Sequence, residues 1–229
     1  MKGLVIGCGR WGSFIAWYLN HIGHDITLYG RKESKNMQRF METRKNNLIT
    51  LPESLKLTNN LDEIQDKDFL IISVGAQSFR QLIKNISDYN LKDKIVVLCM
   101  KGIEIESMER LSEIAEDYLH PSNKVAVWIG PGHVQEFYRG IPNCMVIDSN
   151  HKETKEILVK EFGSDLIRFY YGQDLLGNEI GAAAKNVIGI AAGALDGLGV
   201  SSLKGALMSR GTREVSRLIE AMGGNPFSA

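Results

Sequence analysis

The sequence predicts an α/β doubly wound domain followed by a region that contains helices only. Short apolar strands alternate with amphipathic helices from the N-terminus to about residue 170. Such alternation is typical of α/β folds, and the continuous β-branched runs are typical of strands buried on both faces of a parallel sheet. After residue 172 the chain shows helical patterns alone. We therefore expect one domain over residues 1–172 and the N-terminal part of an all-α domain over residues 173–229.

Each element is predicted from its own pattern of apolar residues. The predicted strands are Leu4–Ile6, Ile26–Tyr29, Phe69–Ser73, Ile95–Leu98 and Val125–Ile129. The predicted helices cover residues 11–22, 76–86, 107–118, 174–199 and 203–222. Glycine, asparagine and proline at 223–226 are expected to end the last helix. No strand pattern follows residue 171.

A glycine-rich loop joins the first predicted strand to the first predicted helix. Residues 7–12 read G-x-G-x-x-G, with Gly7, Gly9 and Gly12 as the three glycines. In a strand–loop–helix context this pattern indicates a Rossmann-type dinucleotide site. The first glycine permits a tight turn, the second admits a pyrophosphate, and the third lets the helix pack on the strand. The other interpretation is an ordinary strand-to-helix turn. The first domain is therefore predicted to bind a dinucleotide.

The end of the second predicted strand bears on which dinucleotide binds. An NAD site usually has Asp or Glu about 20 residues after the glycine loop. This sequence has Gly30, Arg31 and Lys32 there. A guanidinium suits a 2′-phosphate, so the sequence favours NADP over NAD, although NAD stays possible. The alternative is a pair of solvated basic side chains.

Two lysines are candidates for chemistry. Lys101 follows the strand that ends at Leu98, at the carboxyl edge where open α/β sheets bind ligands. Lys185 lies in a helix otherwise rich in small and apolar residues, beside Asn186. Because a buried ammonium is costly, we expect the helix to face a polar cavity or the pKa of Lys185 to fall. A lysine near neutrality can exchange a proton with a substrate oxygen. Both could instead be solvent-facing lysines.

A second loop at the carboxyl edge follows the strand that ends at Ile129. Its residues, 130–133, read Gly-Pro-Gly-His. Gly130 is a candidate for approach to a substrate. His133 could act as an acid or base, although a lone histidine in a tight turn is more often structural. The histidines show no metal-ligand spacing, so no metal site is predicted.

Composition excludes several classes of protein. The 27 basic and 27 acidic side chains cancel, whereas a nucleic-acid binder usually clusters basic residues. No apolar run approaches the ~20 residues that a membrane span requires. Cys8, Cys99 and Cys144 form no CxxC pair and occur in apolar contexts, which predicts small buried thiols in a reducing compartment. These observations predict a cytoplasmic protein.

Together these residues resemble NAD(P)-dependent glycerol-3-phosphate dehydrogenase of the bacterial type, over essentially the whole chain. The most specific match is the block 179–193, which contains Lys185-Asn186 and continues through Asp196-Gly197-Leu198-Gly199. Further similar segments are the glycine loop with Trp11 before its last glycine, Tyr29-Gly30-Arg31, Lys101-Gly102-Ile103-Glu104, Gly130-Pro131-Gly132-His133 and Ser209-Arg210-Gly211.

The resemblance implies an activity and roles for individual residues. It implies hydride transfer between the nicotinamide and C2 of dihydroxyacetone phosphate or sn-glycerol 3-phosphate, with glycerol 3-phosphate supplied to phospholipid synthesis. Lys185 would be the catalytic acid/base, and Lys101, Asn186 and Gly130 would bind substrate. The cofactor-binding residues would be Gly7, Gly9, Arg10, Trp11, Gly12, Arg31 and Lys101. A small-molecule phosphate substrate and a homodimer are expected.

The sequence also departs from the family's pattern. Gly132 and Val134 replace the serine and alanine of a "GPSxA" loop, and Met100 stands where a Ser or Thr is usual. The family continues with a "GLGD" aspartate and an "S-R-N" segment that helps to bind substrate phosphate, and neither precedes Ala229. The resemblance therefore implies either a longer natural chain or a protein without that anchor.

Two alternatives stay open. A 3-hydroxyacid or ketopantoate-type reductase also pairs a Rossmann domain with a helical lysine, but generally lacks the Gly-Pro-x-His and Asp-Gly-Leu-Gly blocks in this order. A non-catalytic NADP-binding sensor would be favoured if the phosphate-binding segment were absent from the natural protein.

Overall fold

The computed structural model describes residues 1–229, which form an eight-stranded sheet flanked by helices and then a pair of long helices. The strands are β1 Lys2–Ile6, β2 Asp25–Tyr29, β3 Lys56–Thr58, β4 Phe69–Ile72, β5 Ile95–Leu98, β6 Lys124–Ile129, β7 Asn143–Asp148 and β8 Ile167–Tyr171. The helices are α1 Arg10–His21, α2 Lys35–Thr43, α3 Phe79–Ser87, α4 Leu111–Tyr118, α5 Val134–Tyr138, α6 Lys152–Phe162, α7 Leu175–Gly197 and α8 Lys204–Ala221.

The strand order of the sheet is β3-β2-β1-β4-β5-β6-β7-β8. Strands β1 to β6 are mutually parallel, so their carboxyl ends meet at one edge. Ile6 is paired with both Tyr29 and Ile72, which places the glycine loop between the ends of β2 and β4. The chain crosses from one side of β1 to the other at this point, and open α/β sheets bind ligands at such a switch.

Two apolar clusters fix the sheet from its two faces. One packs α1 and α6 against the sheet and includes Phe14, Trp128 and Phe162. The other packs α3 and α4 against the opposite face and includes Phe79 and Ile114. Because both faces are covered, the central strands are apolar throughout, as continuous β-branched runs predict. The edge that carries the candidate site is therefore held by a dense core on each side.

The α7–α8 pair packs on this sheet only through the beginning of α7. Leu175 and Ala182 of α7 belong to the apolar cluster that contains the β6 residues Val125 and Val127. In α8 a single residue, Ile219, is buried. None of the helices is both long enough and apolar enough to cross a membrane.

The structure confirms the predicted fold class and corrects several elements. Strands β3, β7 and β8 and helices α2, α5 and α6 are additional to the predicted ones. Strand β7 runs antiparallel to β6, so the sheet is not parallel throughout. The helix predicted from residue 107 begins at Leu111, because residues 103–110 form a loop closed by an isolated bridge between Ile103 and Arg110. Cys144 is exposed, so the prediction of three buried thiols is wrong.

Candidate active site

The glycine loop has the backbone geometry that a dinucleotide fingerprint requires. Gly7 has φ +116°, and a Cβ built on it would lie 2.1 Å from the carbonyl oxygen of Ser73. A Cβ on Gly12 would lie 1.9 Å from the carbonyl oxygen of Gly7, so α1 can approach β1 only with glycine there. A Cβ on Gly9 would meet nothing within 4 Å. The loop is therefore closed on its protein side and open at Gly9, where a pyrophosphate would approach the first amides of α1.

Arg31 lies at the surface directly after β2. No salt bridge involves its guanidinium. Burial raises the pKa of Tyr29, while the nearby charge of Arg31 opposes that rise. The guanidinium is thus available to an anion beside the carboxyl end of β2, where the ribose of a dinucleotide lies in this fold.

A cavity of about 380 Å³ opens at the carboxyl edge of the sheet between the glycine loop, the ends of β5 and β6, and α5. Four of the predicted site residues line it, namely Arg10, Trp11, Lys101 and Gly130. Arg10 donates a hydrogen bond to Gln135 of α5 across the entrance. The predicted cofactor loop and the predicted substrate loops therefore share one cavity.

Lys101 and Lys185 come together although 84 positions separate them in the chain. Partial loss of solvation, together with the adjacent Lys185 ammonium, lowers the pKa of Lys101 to about 8. Lys185 is exposed, as is Asn186 beside it, which agrees with the alternative of a solvent-facing lysine. No residue of α7 after Ala182 is buried, so the small residues around Lys185 lie outside the core.

Gly130 makes the turn at the end of β6. Its φ is +145°, and a Cβ there would lie 3.0 Å from the Cα of Met145 on β7. A side chain is excluded both by the backbone conformation and by the neighbouring strand. His133 lines the cavity and directly precedes α5.

Comparison with known proteins agrees with this geometry. The family model described as the N-terminus of NAD-dependent glycerol-3-phosphate dehydrogenase matches residues 3–155, and the model of the C-terminus matches residues 174–229. The chain belongs to the NAD-dependent glycerol-3-phosphate dehydrogenase family. Its relatives include proteins named glycerol-3-phosphate dehydrogenase (NAD(P)+) from Thermoanaerobacter sp. and Fusobacterium nucleatum. The first is 35% identical over 100% of this chain and 70% of its own length; the second is 37% identical over 96% and 68%.

Solved structures show the same fold. A crystal structure of glycerol-3-phosphate dehydrogenase from Coxiella burnetii superposes with a TM-score of 0.92 at 26% identity, covering 99% of this chain and 71% of that one. A ketopantoate reductase from Ralstonia eutropha reaches a TM-score of 0.61 at 16% identity over 82% of this chain and 61% of that one, and so shares the fold alone. The ketopantoate-type alternative is therefore less well supported than membership of the dehydrogenase family.

The structure explains one departure from the family's sequence pattern. A Cβ on Gly132 would lie 2.7 Å from the Phe137 ring and 2.9 Å from the Trp11 indole. The two rings pack within van der Waals range of each other, with centroids 6.4 Å apart. A serine at position 132 would collide with both rings as they are placed here.

Sequence reasoning missed several cavity residues because no motif marks them. Trp128 and Met145 lie on β6 and β7, and the Trp128 indole N–H donates to the Met145 sulfur at 3.0 Å. Ser73 and Val74 follow β4, and Cys99 follows β5. A usable signal exists for the last three, since all follow predicted strands at the carboxyl edge. No group of three His, Cys, Asp or Glu residues is arranged to hold a metal.

Proposed function

We propose that this chain catalyses hydride transfer between NAD(P)H and dihydroxyacetone phosphate, interconverting it with sn-glycerol 3-phosphate. The observation that carries the proposal is the adjacency of Lys185 to Lys101, which lines a cavity that also borders the glycine loop. The bound nicotinamide supplies the hydride. The protein supplies a positively charged site for a phosphorylated three-carbon substrate and a proton for its C2 oxygen. Reduction in this direction would provide glycerol 3-phosphate for phospholipid synthesis.

We assign separate roles to the two lysines. Lys185 is the acid that protonates the C2 oxygen during reduction and the base in the reverse direction. Lys101 contacts the substrate and the cofactor and polarises the carbonyl electrostatically. Asn186 and the backbone at Gly130 are further substrate contacts. Two adjacent ammonium groups also favour a dianionic phosphate, because its negative charge offsets the repulsion between them.

The decisive experiment is steady-state oxidation of NADPH and NADH with dihydroxyacetone phosphate by the wild type and by Lys185→Ala. We expect turnover in the wild type and a loss of at least ~100-fold in the variant, as is typical when an acid/base group is removed. Lys204→Ala is the matched control, because Lys204 lies on the neighbouring helix and pairs with Asp196 at 3.0 Å. A folded wild type that binds NADPH without turning over would contradict the proposal and leave a cofactor-binding module.

Cofactor preference is assigned to Arg31. We propose that its guanidinium binds the 2′-phosphate of NADP, with NAD accepted more weakly. Arg31→Ala should raise the Kd for NADPH by about 10- to 100-fold, since a charged hydrogen bond contributes about 1.5–3 kcal/mol, and should change the Kd for NADH little. Fluorescence titration measures both constants. Arg39→Ala on α2, where Arg39 donates to Asn47, is the control. An equal effect on both cofactors would exclude the assignment.

We also propose a domain boundary near residue 172. Residues 1–172 would form the dinucleotide-binding domain and residues 173–229 the N-terminal part of a helical substrate domain. Strand β8 ends at Tyr171 and α7 begins at Leu175, which supports this division. Asp148 joins the two parts, since its carboxylate accepts hydrogen bonds from the Asp174 amide at 3.0 Å and from the Asn178 side chain at 2.7 Å.

A cytoplasmic homodimer is the proposed assembly. All three cysteines are free, which is usual in a reducing compartment. Leu198, Val200 and Leu203 expose apolar side chains between α7 and α8, and such patches promote association. Light scattering on the eluting protein would give the mass of two chains. The mass of a single chain at every concentration would contradict the dimer.

A further inference from the structure

The two lysines of the candidate active site belong to different parts of the molecule, and their charges repel. Lys101 lies in the loop after β5, whereas Lys185 lies near the middle of α7, beyond the turns that pack on the sheet. Two like charges close together raise the free energy of the arrangement that holds them. Attractive contacts between the 101–110 loop and α7 must therefore offset this repulsion.

The strongest polar contact between these parts is made by Glu179. Glu179 is only 9% exposed. Its carboxylate accepts hydrogen bonds from the Ser112 amide at 3.0 Å and the Ser112 hydroxyl at 2.5 Å. It also pairs with the Arg110 guanidinium at 2.7 Å. Ser112 is in the first turn of α4, so the carboxylate of one helix caps the N-terminus of another. Glu179 thus ties α7 to the end of the 101–110 loop.

Glu179 lies in the buried N-terminal part of α7, shortly before Lys185. The buried residues of α7 are Leu175, Gly177, Glu179, Ile180 and Ala182. The last of them precedes Lys185 by three residues, and the rest of the helix is not buried. Glu179 lies about 9 Å along the helix axis from Lys185. It is the single ionisable group in the anchored segment that precedes the catalytic lysine.

The other side of the 101–110 loop is held independently of α7. Arg80 of α3 binds Glu104 through two guanidinium nitrogens, at 2.6 and 2.9 Å, and also pairs with Glu109. The Gln77 side chain donates to the Ile103 carbonyl and accepts from the Ile105 amide, both at 2.9 Å. The loop is therefore fixed to the sheet domain, and Arg110 is the point at which α7 attaches to it.

We propose that Glu179 is a positioning residue: by binding Arg110 and Ser112 it holds α7 against the 101–110 loop and keeps Lys185 beside Lys101. This inference rests on the proposed function, because it takes the two lysines as the catalytic pair. Glu179 itself contacts neither substrate nor cofactor. It affects catalysis by setting the distance between the two ammonium groups. That distance can be followed in the resting protein, without measuring turnover.

The reporter is the pKa of Lys101 in the cofactor-free protein. Burial and Lys185 together lower that pKa to about 8. If the carboxylate is removed, α7 is released from Arg110, Lys185 moves away, and the pKa of Lys101 should rise towards its ordinary value near 10.4. Heteronuclear NMR of labelled lysine side chains, with the Lys101 signal assigned from Lys101→Arg, measures this pKa directly.

The variants are Glu179→Gln and its matched control Glu113→Gln. Glu113 accepts from the other Arg110 nitrogen at 2.8 Å, and its hydrogen bonds and ion pair involve Arg110 alone, with none to α7. We expect Glu179→Gln to raise the pKa of Lys101 and to lower kcat on the order of 10- to 100-fold, since small misplacements of catalytic groups have effects of that size. In wild type, kcat/KM for reduction should fall above about pH 8 as Lys101 loses its proton, and in Glu179→Gln this fall should move to higher pH. Glu113→Gln should leave the pKa of Lys101 and kcat as in the wild type.

Ser112→Ala provides a second route if Glu179→Gln does not fold. It removes the hydroxyl donor to Glu179 and keeps the ion pair with Arg110, so it should shift the pKa of Lys101 in the same direction by a smaller amount. An unchanged Lys101 pKa in a folded Glu179 or Ser112 variant overturns the positioning role. If instead the wild type fails to reduce dihydroxyacetone phosphate while the Lys101 pKa still responds to Glu179, the proposed substrate fails and the positioning role stands.

Discussion

The sheet domain and the α7–α8 pair are held in place in different ways. The sheet is packed on both faces by apolar clusters, in which Phe14, Phe69 and Trp128 are fully enclosed. In the α7–α8 pair, by contrast, Val187 is 71% exposed and Ile190 is 76% exposed. The glycine loop is therefore positioned by a continuous core, whereas Lys185 is positioned by the first turns of α7 and by the polar contacts made there.

The glycine loop and Lys185 should therefore respond differently to substitutions in the regions that position them. Substitutions in the sheet core should lower the free energy of unfolding of the whole domain, because the core residues pack against one another as one unit. Substitutions in the exposed part of α7 should leave stability almost unchanged while altering catalysis. The first test contrasts one apolar side chain from each region.

Phe69→Ala should destabilise the protein by about 3–5 kcal/mol, because it removes a fully buried ring and leaves a cavity. The ring packs edge-on against Phe162 with centroids 5.1 Å apart. Val187→Ala should change the free energy of unfolding by no more than about 0.5 kcal/mol, as is usual for exposed positions. Urea denaturation followed by circular dichroism measures both. If Val187→Ala lowered the free energy of unfolding by about 2 kcal/mol, this face of α7 would be covered in solution. The two regions would then not differ in the way proposed.

The same contrast explains which elements could be predicted from the sequence. Strands β1, β2, β4, β5 and β6 were predicted because central parallel strands are continuous apolar runs. Strand β3 has three residues at the sheet edge, and its pattern Lys-Leu-Thr is too short to distinguish from a loop. The direction of β7 was not predictable, because the connection from Ile129 to Asn143 is long enough for either orientation.

Site residues could be predicted from the sequence where the backbone conformation requires a particular residue type. Contacts between side chains that are distant in sequence could not. Gly7 and Gly12 lie where a Cβ would collide with the backbone, and Gly9 leaves the loop open on the side expected to face a pyrophosphate. The small and apolar neighbours of Lys185 in sequence did not decide whether its ammonium faces a cavity or solvent, because exposure depends on what packs against a helix rather than on the helix itself. The contact of Glu179 with Arg110 joins positions 69 residues apart, and no local pattern marks it.

Glycine substitutions test the two regions a second time. Gly7→Ala should cost about 1–3 kcal/mol, because alanine resists φ +116° and its Cβ would collide with Ser73. NADPH binding should weaken as the loop is displaced. Gly193→Ala, in α7, should instead stabilise the protein by about 0.5–1 kcal/mol, since its Cβ meets nothing within 4 Å and alanine favours helix. Thermal unfolding and cofactor titration on the same samples compare them. Equal effects of the two changes would remove the distinction between a constrained loop and a solvated helix.

Asp174 gives the smallest expected effect and tests how the helical pair is attached. Partial burial raises the pKa of this carboxyl, but hydrogen bonds from the Gly177 and Asn225 amides and the Ser228 hydroxyl outweigh it, so the pKa lies below its ordinary value. Asp174→Ala removes the cap of α7 and the link to the C-terminal turn. A loss of about 1 kcal/mol at pH 7 is expected, as for other caps.

The pH dependence of that loss identifies its cause. A carboxyl whose pKa is depressed on folding stabilises the protein above its unfolded pKa, near 3.9, and this contribution disappears as the pH falls through the folded value. The difference between wild type and Asp174→Ala should therefore narrow below about pH 4. Asp196→Ala, which removes an exposed partner of Lys204, should have a smaller effect on stability at pH 7. An equal loss of stability from Asp174→Ala and Asp196→Ala would mean that the attachment at the first turn of α7 stabilises the helical pair no more than an exposed ion pair does. The contrast with the sheet domain would then need another explanation.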